Sequence, residues 1–473
     1  MNEPDGLVSP RFIDTHGQLP LLWPRRVIFF ANLLALFFGN EEQTRVLSKE
    51  VGELDSYSGR LIPILNLLFA GTDNVLVVER LPDPALSQYM IDQLGLSLPR
   101  ICLLPHHEYT RLGDLLAEHP ETPLNELLPQ GHPLITAAKG VESETWLDGY
   151  VTDDVLPRIA ERLGCRTLST TRASHMGNNK VLLYQYLQQQ GLPTIATELA
   201  SRPSDIAGCA ARLREQGYDS AVVRSAIGAS GVGMLKLPNV DDENSLNSIP
   251  EYFFHEGPAL VQGWLQPGRL NVTRVRSPST QLFLDDEHVY AFDMTEQILS
   301  EHNIHEGNES PPPYLAAQPE LRVETMRQAK FVGTWLHQTG YRGTASIDWL
   351  VVERTGTDTA EVYVCEVNAR VTGATYPSLL AKHFHPSGAW LLRNLRLSHP
   401  VAASTLIQIF DSRNHLYHLG RRAGILPLNF NFGKDGLVHK GQFICIGRDS
   451  QQCHHFLNLA EHDLPGGWTT DRD

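Results

Sequence analysis

The stretch VYVCEVNARVTGATY, residues 362 to 376, begins as an apolar, β-branched strand yet carries Glu366, Asn368 and Arg370 on alternate positions. Side chains alternate faces along a strand, so these three share one face while Val367 and Ala369 share the other. A carboxylate and an amide carbonyl are hard oxygen ligands, suited to Mg2+ held beside phosphates. Arg370, just beyond them, is placed to grip a carboxylate or a phosphate with its bidentate fork.

Upstream lies TASIDWLVVERTGTDTAEVYVCEVNA, two β-rich runs joined by a turn of Gly, Thr and Asp. A hairpin centred on Thr357 sets Asp348 opposite Glu366. Two opposed carboxylates repel, and the turn offers no arginine at that level. A bound cation held by Asp348, Glu366 and Asn368 resolves the conflict. The plainer alternative is an edge hairpin whose polar face meets water.

Other segments could hold an anion. RSAIGASGVGM, residues 224 to 234, has glycines at 228, 231 and 233 between two strand-like runs, and backbone N–H groups of such a loop can cradle phosphate oxygens. It is neither a Walker loop, since no GK[ST] follows, nor a dinucleotide fingerprint, since a strand follows in place of a helix. A plain hairpin loop is the ordinary reading of such a turn. Lys180 opens a helix after GNN, and VQGWLQPG, residues 261 to 268, is an apolar strand running into a turn; a surface lysine and a structural strand are their ordinary readings.

The elements that must position these groups alternate along the chain. Over the first part, VLVVER (75 to 80) reads as a strand and ALSQYMIDQLGL as a helix, which predicts an α/β domain with a parallel sheet. Helix VLPRIAERLG (155 to 164) leads to a Ser/Thr-rich turn. Helices NKVLLYQYLQQQ and SDIAGCAARLREQG come next, stopped at Gly and Pro, then strand SAVVRS, the glycine loop and strand GMLKL. Further strands are expected at 259–262, 271–276, 280–284 and 288–294. HEGNESPPPYLAAQP (305 to 319) reads as a long Pro-rich loop. After about residue 400 a small α/β cap is expected, with strands near 404–410 and 441–446.

Composition narrows the class. At 473 residues, 42% hydrophobic and 20% charged, the chain has the profile of a soluble globular protein of roughly two to four domains. VIFFANLLALFF (27 to 38) is shorter than the about 20 residues that span a bilayer, and the start lacks a basic n-region, so a cytoplasmic protein without a membrane partner is expected. Six scattered cysteines without a CxxC pair suit a reducing compartment. A net charge of −15 disfavours nucleic acid as a partner.

Taken in order, the N-K-helix-GLPT unit, the strand with its glycine-rich loop, the VQGWL strand, the Asp-bearing strand and E-x-N-x-R resemble the ATP-grasp superfamily of carboxylate-amine ligases over residues 170 to 395. The resemblance implies an α/β chain, α+β in its ATP-grasp part: a pre-ATP-grasp-like α/β domain at 1–168, an ATP-grasp domain at 169–398 and the small cap at 399–473. It implies ATP and Mg2+. Lys180, Arg224, Gly228, Ser230, Gly231 and Gly233 would contact the phosphates, Gln262, Trp264 and Leu265 the adenine, and Asn271 the ribose. Asp348, Glu366 and Asn368 would hold the metal, and Arg370, with Arg224, would be catalytic. Arg224 stands where such proteins usually have a lysine, and Asn271 where many have a glutamate. Segments SPSTQ (277 to 281) and TEQIL (295 to 299), with the long N-terminal domain and the cap, are similar to peptide ligases of the pheganomycin type; Ser277, Ser279, Gln281, Glu296 and Gln297 are then candidate substrate contacts.

The activity implied by the resemblance is that of an ATP-dependent ligase, joining a carboxylate substrate to an amine substrate, an amino acid or peptide, through an acyl phosphate. An ATP-binding regulatory protein without ligase chemistry, and a carboxylase or kinase of the same fold, stay open, as does a homodimer. No general base is identifiable: His106, His107, His302 and His305 read as solvated loop residues.

Overall fold

The computed structural model describes residues 9–51, 57–71, 73–137, 145–229, 231–246, 248–299, 305–357 and 359–470. Strand β1 (Arg11–Asp14) leaves the N-terminal region to run parallel to a strand of the central sheet. The expected parallel sheet is present: β2 (Arg26–Phe30), β3 (Val75–Val78), β4 (Arg100–Leu103), β5 (Thr145–Gly149) and β6 (Arg166–Thr167), in the order β4-β3-β2-β5-β6. All four residues of β3 are buried, as a strand covered on both faces requires. Ligands of open α/β sheets enter where the strand order reverses. Between β2 and β5, at that point, Asn32 links the two strand ends: its Oδ1 accepts from the Tyr150 N–H at 2.9 Å and its Nδ2 donates to Val151 O at 3.0 Å.

A second, antiparallel sheet holds β7 (Thr197–Ala200), β8 (Ala221–Ala229), β9 (Val232–Leu237) and β10 (Ala259–Gly263), ordered β7-β10-β8-β9. Its inner face, with Val223 and Val261, packs on Cys209, Ala210 and Leu213 of helix Ile206–Glu215. The glycine-rich segment is mostly strand and not a long loop. β8 continues to Ala229, which pairs with Val232, and Gly231 and Gly233 supply positive φ angles of 82° and 80° at and just after the reversal.

The central sheet is built from β11 (Val272–Arg276), β12 (Pro278–Leu284), β13 (His288–Leu299), β14 (His305–Ser310), β15 (Gly343–Arg354), β16 (Glu361–Asn368), β17 (Ala389–Val401), β18 (Gly424–Phe432), β19 (Val438–Gly447) and β20 (Trp468–Thr470). Its main path runs β11-β15-β12-β13-β14-β17-β19-β18, with β16 on β15, β20 on β17 and β1 on β13. Helix Pro319–Gln338 covers one face, burying Ala329, Val332 and Leu336 against Leu282, Val289 and Ile347.

Two elements differ from the sequence expectation. HEGNES is a central strand and not part of a loop, because its backbone pairs with β13 on one side and β17 on the other; Asn308 and Ser310 are each only 1% exposed. Residues 404–410 are helical, within Ala403–Ser412, whose buried Ala403, Leu406 and Phe410 recur with the period of a helix face. The cap boundary expected at 398/399 falls inside β17, and β18 and β19 extend the same sheet. Among the described residues no helix is long and apolar enough to cross a membrane.

Candidate active site

In the β15–β16 hairpin Asp348 lies opposite Glu366, as expected, and Ser346 opposite Asn368, but the register shifts after Asp348, so that Trp349 faces Val364 and the pairs nearer the turn are not those of a hairpin centred on Thr357. Asp348 is fixed from two sides, its Oδ1 accepting from Ser279 Oγ at 2.7 Å and its Oδ2 from Asn368 Nδ2 at 3.0 Å. Burial, and then the neighbouring Glu366 charge, raise the Asp348 carboxyl above the usual carboxylate range.

The charge that offsets Glu366 comes from outside the hairpin, which no local spacing could show. Arg224 Nη2, on β8 of the other sheet, donates to Glu366 Oε2, and its Nη1 donates to Gln262 Oε1 and Cys365 O, each at 3.2 Å. Lys180 Nζ lies 3.4 Å from the same Glu366 oxygen and donates to Gly228 O at 3.1 Å. Burial alone would raise Glu366; Lys180, Arg224 and Arg370 outweigh it and hold the carboxyl well below its usual value. Lys180 and Arg224 are only 7% and 8% exposed, so the site concentrates positive charge in a dry setting.

Lys180 reaches this point because of the residues before it. Helix Thr171–Asn178 runs so close to the strand after Asn368 that a Cβ on Gly177 would lie 2.5 Å from Ala369 Cβ. Asn179 then caps the helix Lys180–Gln189, its side chain accepting from the N–H groups of Val181 and Leu182. Arg370 Nη1 donates to Asn178 Oδ1.

The remaining predicted residues divide. Gln262 bridges Arg224 and Thr197 Oγ1, the latter at 3.0 Å. Trp264 carries Lys236 Nζ 4.4 Å above its ring, and Leu265 is buried beside Ile195, Val272 and Val352. Gln281, fully buried, donates to Ser279 and accepts from Thr372 and Thr375 Oγ1, which ties the segment after Arg370 to the sheet. Gln297 pairs with Asn308 across β13 and β14. Glu296 points to the opposite face, accepting from the Ser277 N–H at 3.0 Å and Tyr314 OH at 2.7 Å. Asn271 is exposed in a left-handed turn at φ 59°, where asparagine is favoured for backbone reasons alone. Ser230 and His302 lie outside the described residues.

Two residues escape the sequence reading, and the histidines are misplaced by it. Gln43, in the N-terminal region, donates to Ser225 Oγ at 3.0 Å and Ile227 O at 3.1 Å; nothing in its local sequence signals this. Asn178 lies inside the GNNK run that drew notice only for its lysine. Of the histidines expected in loops, His305 is a strand residue, its Nε2 2.6 Å from Asn308 Oδ1 and its ring against Gly373, and His106 and His107 open the helix His106–Glu118.

No group of three or more His, Cys, Asp or Glu side chains among the described residues forms a metal site alone. Asp348, Glu366 and Asn368 offer two carboxylates and an amide. Mg2+ is commonly held by one or two carboxylates with substrate phosphates completing its shell, so this donor set fits it.

The three-part arrangement, with a small antiparallel sheet clasping cations over the polar face of a larger one, is the ATP-grasp fold. Over 94% of this chain and 92% of the other, it superposes with TM-score 0.55 and 14% identity on a biotin carboxylase of Campylobacter jejuni solved as a β-γ-ATP complex. The biotin carboxylase domain of Hydrogenobacter thermophilus 2-oxoglutarate carboxylase, solved with MgADP, ADP and bicarbonate, matches at TM-score 0.55 and 12% identity over 95% and 92% of the two chains. An N5-carboxyaminoimidazole ribonucleotide synthetase in complex with ADP matches at 0.51 and 10% over 94% and 97%. In sequence, the chain is 26% identical over 203 residues to the butirosin acyl-carrier protein L-glutamate ligase of Niallia circulans, a match spanning 42% of this chain and 44% of that relative. No family model matches the chain.

Proposed function

We propose that this protein is an ATP-dependent carboxylate-amine ligase that forms an amide or peptide bond and releases ADP and phosphate. The observation that carries the reading is the convergence of Lys180 and Arg224 on Glu366, which lies opposite Asp348 and two residues before Asn368 on the same strand, with Arg370 two residues beyond Asn368. Likeness to nucleotide-bound structures and to a glutamate ligase supports it. The carboxylate and amine substrates are an amino acid or peptide in this reading, and ATP is the second reactant.

In the first step a carboxylate oxygen attacks the γ-phosphorus, the bond to the β-bridging oxygen breaks, and an acyl phosphate and ADP result. In the second, an amine attacks the acyl carbon, phosphate leaves, and the amine gives up a proton. Every reacting oxygen is anionic, so catalysis rests on holding them together against repulsion. Lys180 and Arg224 neutralise the polyphosphate, and the backbone around Gly228, Gly231 and Gly233 lies over it. Mg2+, held by Asp348, Glu366 and Asn368, supplies charge neutralisation at phosphate oxygens. Gln262, Trp264 and Leu265 line the adenine side. Arg370 orients the acid and steadies the oxyanion.

The test is ADP release from ATP and Mg2+ with a panel of amino acids and dipeptides, with and without hydroxylamine. Acid-dependent hydroxamate supports the ligase. ADP formed only with bicarbonate, without hydroxamate, points to a carboxylase, and nucleotide binding without turnover points to a regulatory protein.

A further inference from the structure

We infer that Asn178 is a positioning residue for the acid-activating step, setting the guanidinium of Arg370 at the angle in which it meets the substrate carboxylate. The inference rests on the ligase reading and adds a residue to it. Asn178 is 3% exposed and has all three of its contacts in one short reach. Its Nδ2 donates to Ser174 O at 2.8 Å and to Ala369 O at 3.2 Å, and its Oδ1 accepts from Arg370 Nη1.

The partners determine which way the amide faces. Both neighbours of Nδ2 are carbonyl oxygens, which only accept, and the neighbour of Oδ1 is a guanidinium, which only donates. A flipped amide would set oxygen against two carbonyls and an NH2 against the guanidinium, so the amide has a single satisfied orientation. Arg370 is the long, flexible member of the pair. Among the described residues its guanidinium has no other hydrogen bond, so Asn178 is its one hydrogen-bond anchor, and Glu366 and Asp348 are the carboxylates whose charges act on it.

The surroundings make this hold stiff. Gly177 lets helix Thr171–Asn178 approach Ala369, and the Asn178–Ala369 hydrogen bond ties that helix to the residue between the end of β16 and Arg370. Two residues on, Lys180 reaches Glu366. The GNNK run therefore serves both ends of the reaction, with Lys180 toward the nucleotide and Asn178 toward the acid.

The test compares Asn178→Leu, Arg370→Ala and the double variant in the full chain. It measures ATP affinity by calorimetry and hydroxamate formation with L-glutamate, L-alanine, glycine and Gly-Gly as acids. Asn178→Leu is expected to leave ATP affinity within about threefold while acid-dependent kcat/KM falls roughly 10- to 100-fold, the loss of one charge-assisted hydrogen bond. In the Arg370→Ala background the same substitution is expected to cost less than about twofold, because its effect passes through Arg370. Additive losses in the double variant, an unchanged hydroxamate rate, or a matching fall in ATP affinity would overturn the assignment. If Asn178→Leu does not fold, Asn178→Ala decides: it removes the Oδ1 acceptor without adding bulk or charge, so acid-dependent kcat/KM should fall at least about tenfold with ATP affinity kept, and an unchanged kcat/KM overturns the assignment. If the unmodified protein forms no hydroxamate with any of the acids, the ligase reading falls and this assignment with it; hydroxamate from the unmodified protein and from Asn178→Leu at equal rates removes only this assignment.

Discussion

Gln43 Nε2 lies 3.0 Å from Ser225 Oγ, although one residue belongs to an N-terminal helix and the other to the β8–β9 hairpin. Both are buried, and Ser225 in turn donates to Ile227 O. A Cβ on Gly233 would lie 2.1 Å from Ser225 Oγ and 2.4 Å from Gln43 Nε2. The glycine-rich hairpin is thus pinned to the N-terminal region from one side. Gln43→Ala should raise amide hydrogen exchange across residues 221–237 and weaken ATP binding several-fold, since one buried donor with two acceptors is worth about 1 to 3 kcal/mol. Unchanged exchange in that hairpin would show that the contact does not hold it.

Glu366 carries a structural duty along with its proposed metal role. Replacing it by Gln leaves Arg224 and Lys180 buried without their shared counter-charge. Breaking a fully buried pair costs about 3 to 5 kcal/mol. The Glu366 side chain is 20% exposed, so a loss of about 2 to 4 kcal/mol is expected, with ADP formation abolished. Tripolyphosphate should then raise the melting temperature of Glu366→Gln more than that of the unmodified protein, because it supplies the missing anion. Equal shifts in a paired thermal melt would argue against the two cations as a phosphate site.

Asp148 sits at the end of β5 in the wall of a cavity lined by Phe29, Leu61, Leu65, Phe69 and Val371. Burial pushes its carboxyl up to about 8. The folded state therefore keeps a proton that the unfolded chain releases near its ordinary value of about 4. Stability from this group is fully present below about pH 4 and is lost as pH rises toward about 8, at up to about 1.4 kcal/mol per pH unit. Asp148→Asn, which keeps the shape of the protonated acid, should remove that slope and be the more stable protein at pH 8. Parallel denaturation midpoints from pH 5 to 8 for the two proteins would contradict this.

Arg370→Lys keeps the charge and loses the fork that meets Asn178 and the proposed acid. ATP binding should change little, while hydroxamate formation falls roughly 30- to 1000-fold, equivalent to about 2 to 4 kcal/mol in the transition state. A collapse of ATP affinity would assign the residue to the nucleotide instead.

The sequence alone determined the elements whose signals are local. The period-2 polarity of VYVCEVNAR and the turn between its strands pointed to Asp348 opposite Glu366, a pairing that the structure reaches only through a bulge after Asp348, since the pairs nearer the turn are shifted by one residue. The helix stops at Gly191 and Pro193 and the capped start at Lys180 were legible for the same reason. Strand β14 was not, since a polar run such as HEGNES becomes a strand only when β13 and β17 pair with both its edges. Helix Ala403–Ser412 also differed from its expected strand, its short apolar run fitting either period until it packed. The offset of charge at Glu366 was decided by tertiary structure, because Arg224 stands 142 positions earlier and Lys180 arrives from yet another element. The same holds for Gln43 on the β8–β9 hairpin and Asn178 on Arg370: a side-chain hydrogen bond between distant segments leaves no periodicity in either, and only the packing of the sheets brings donor to acceptor.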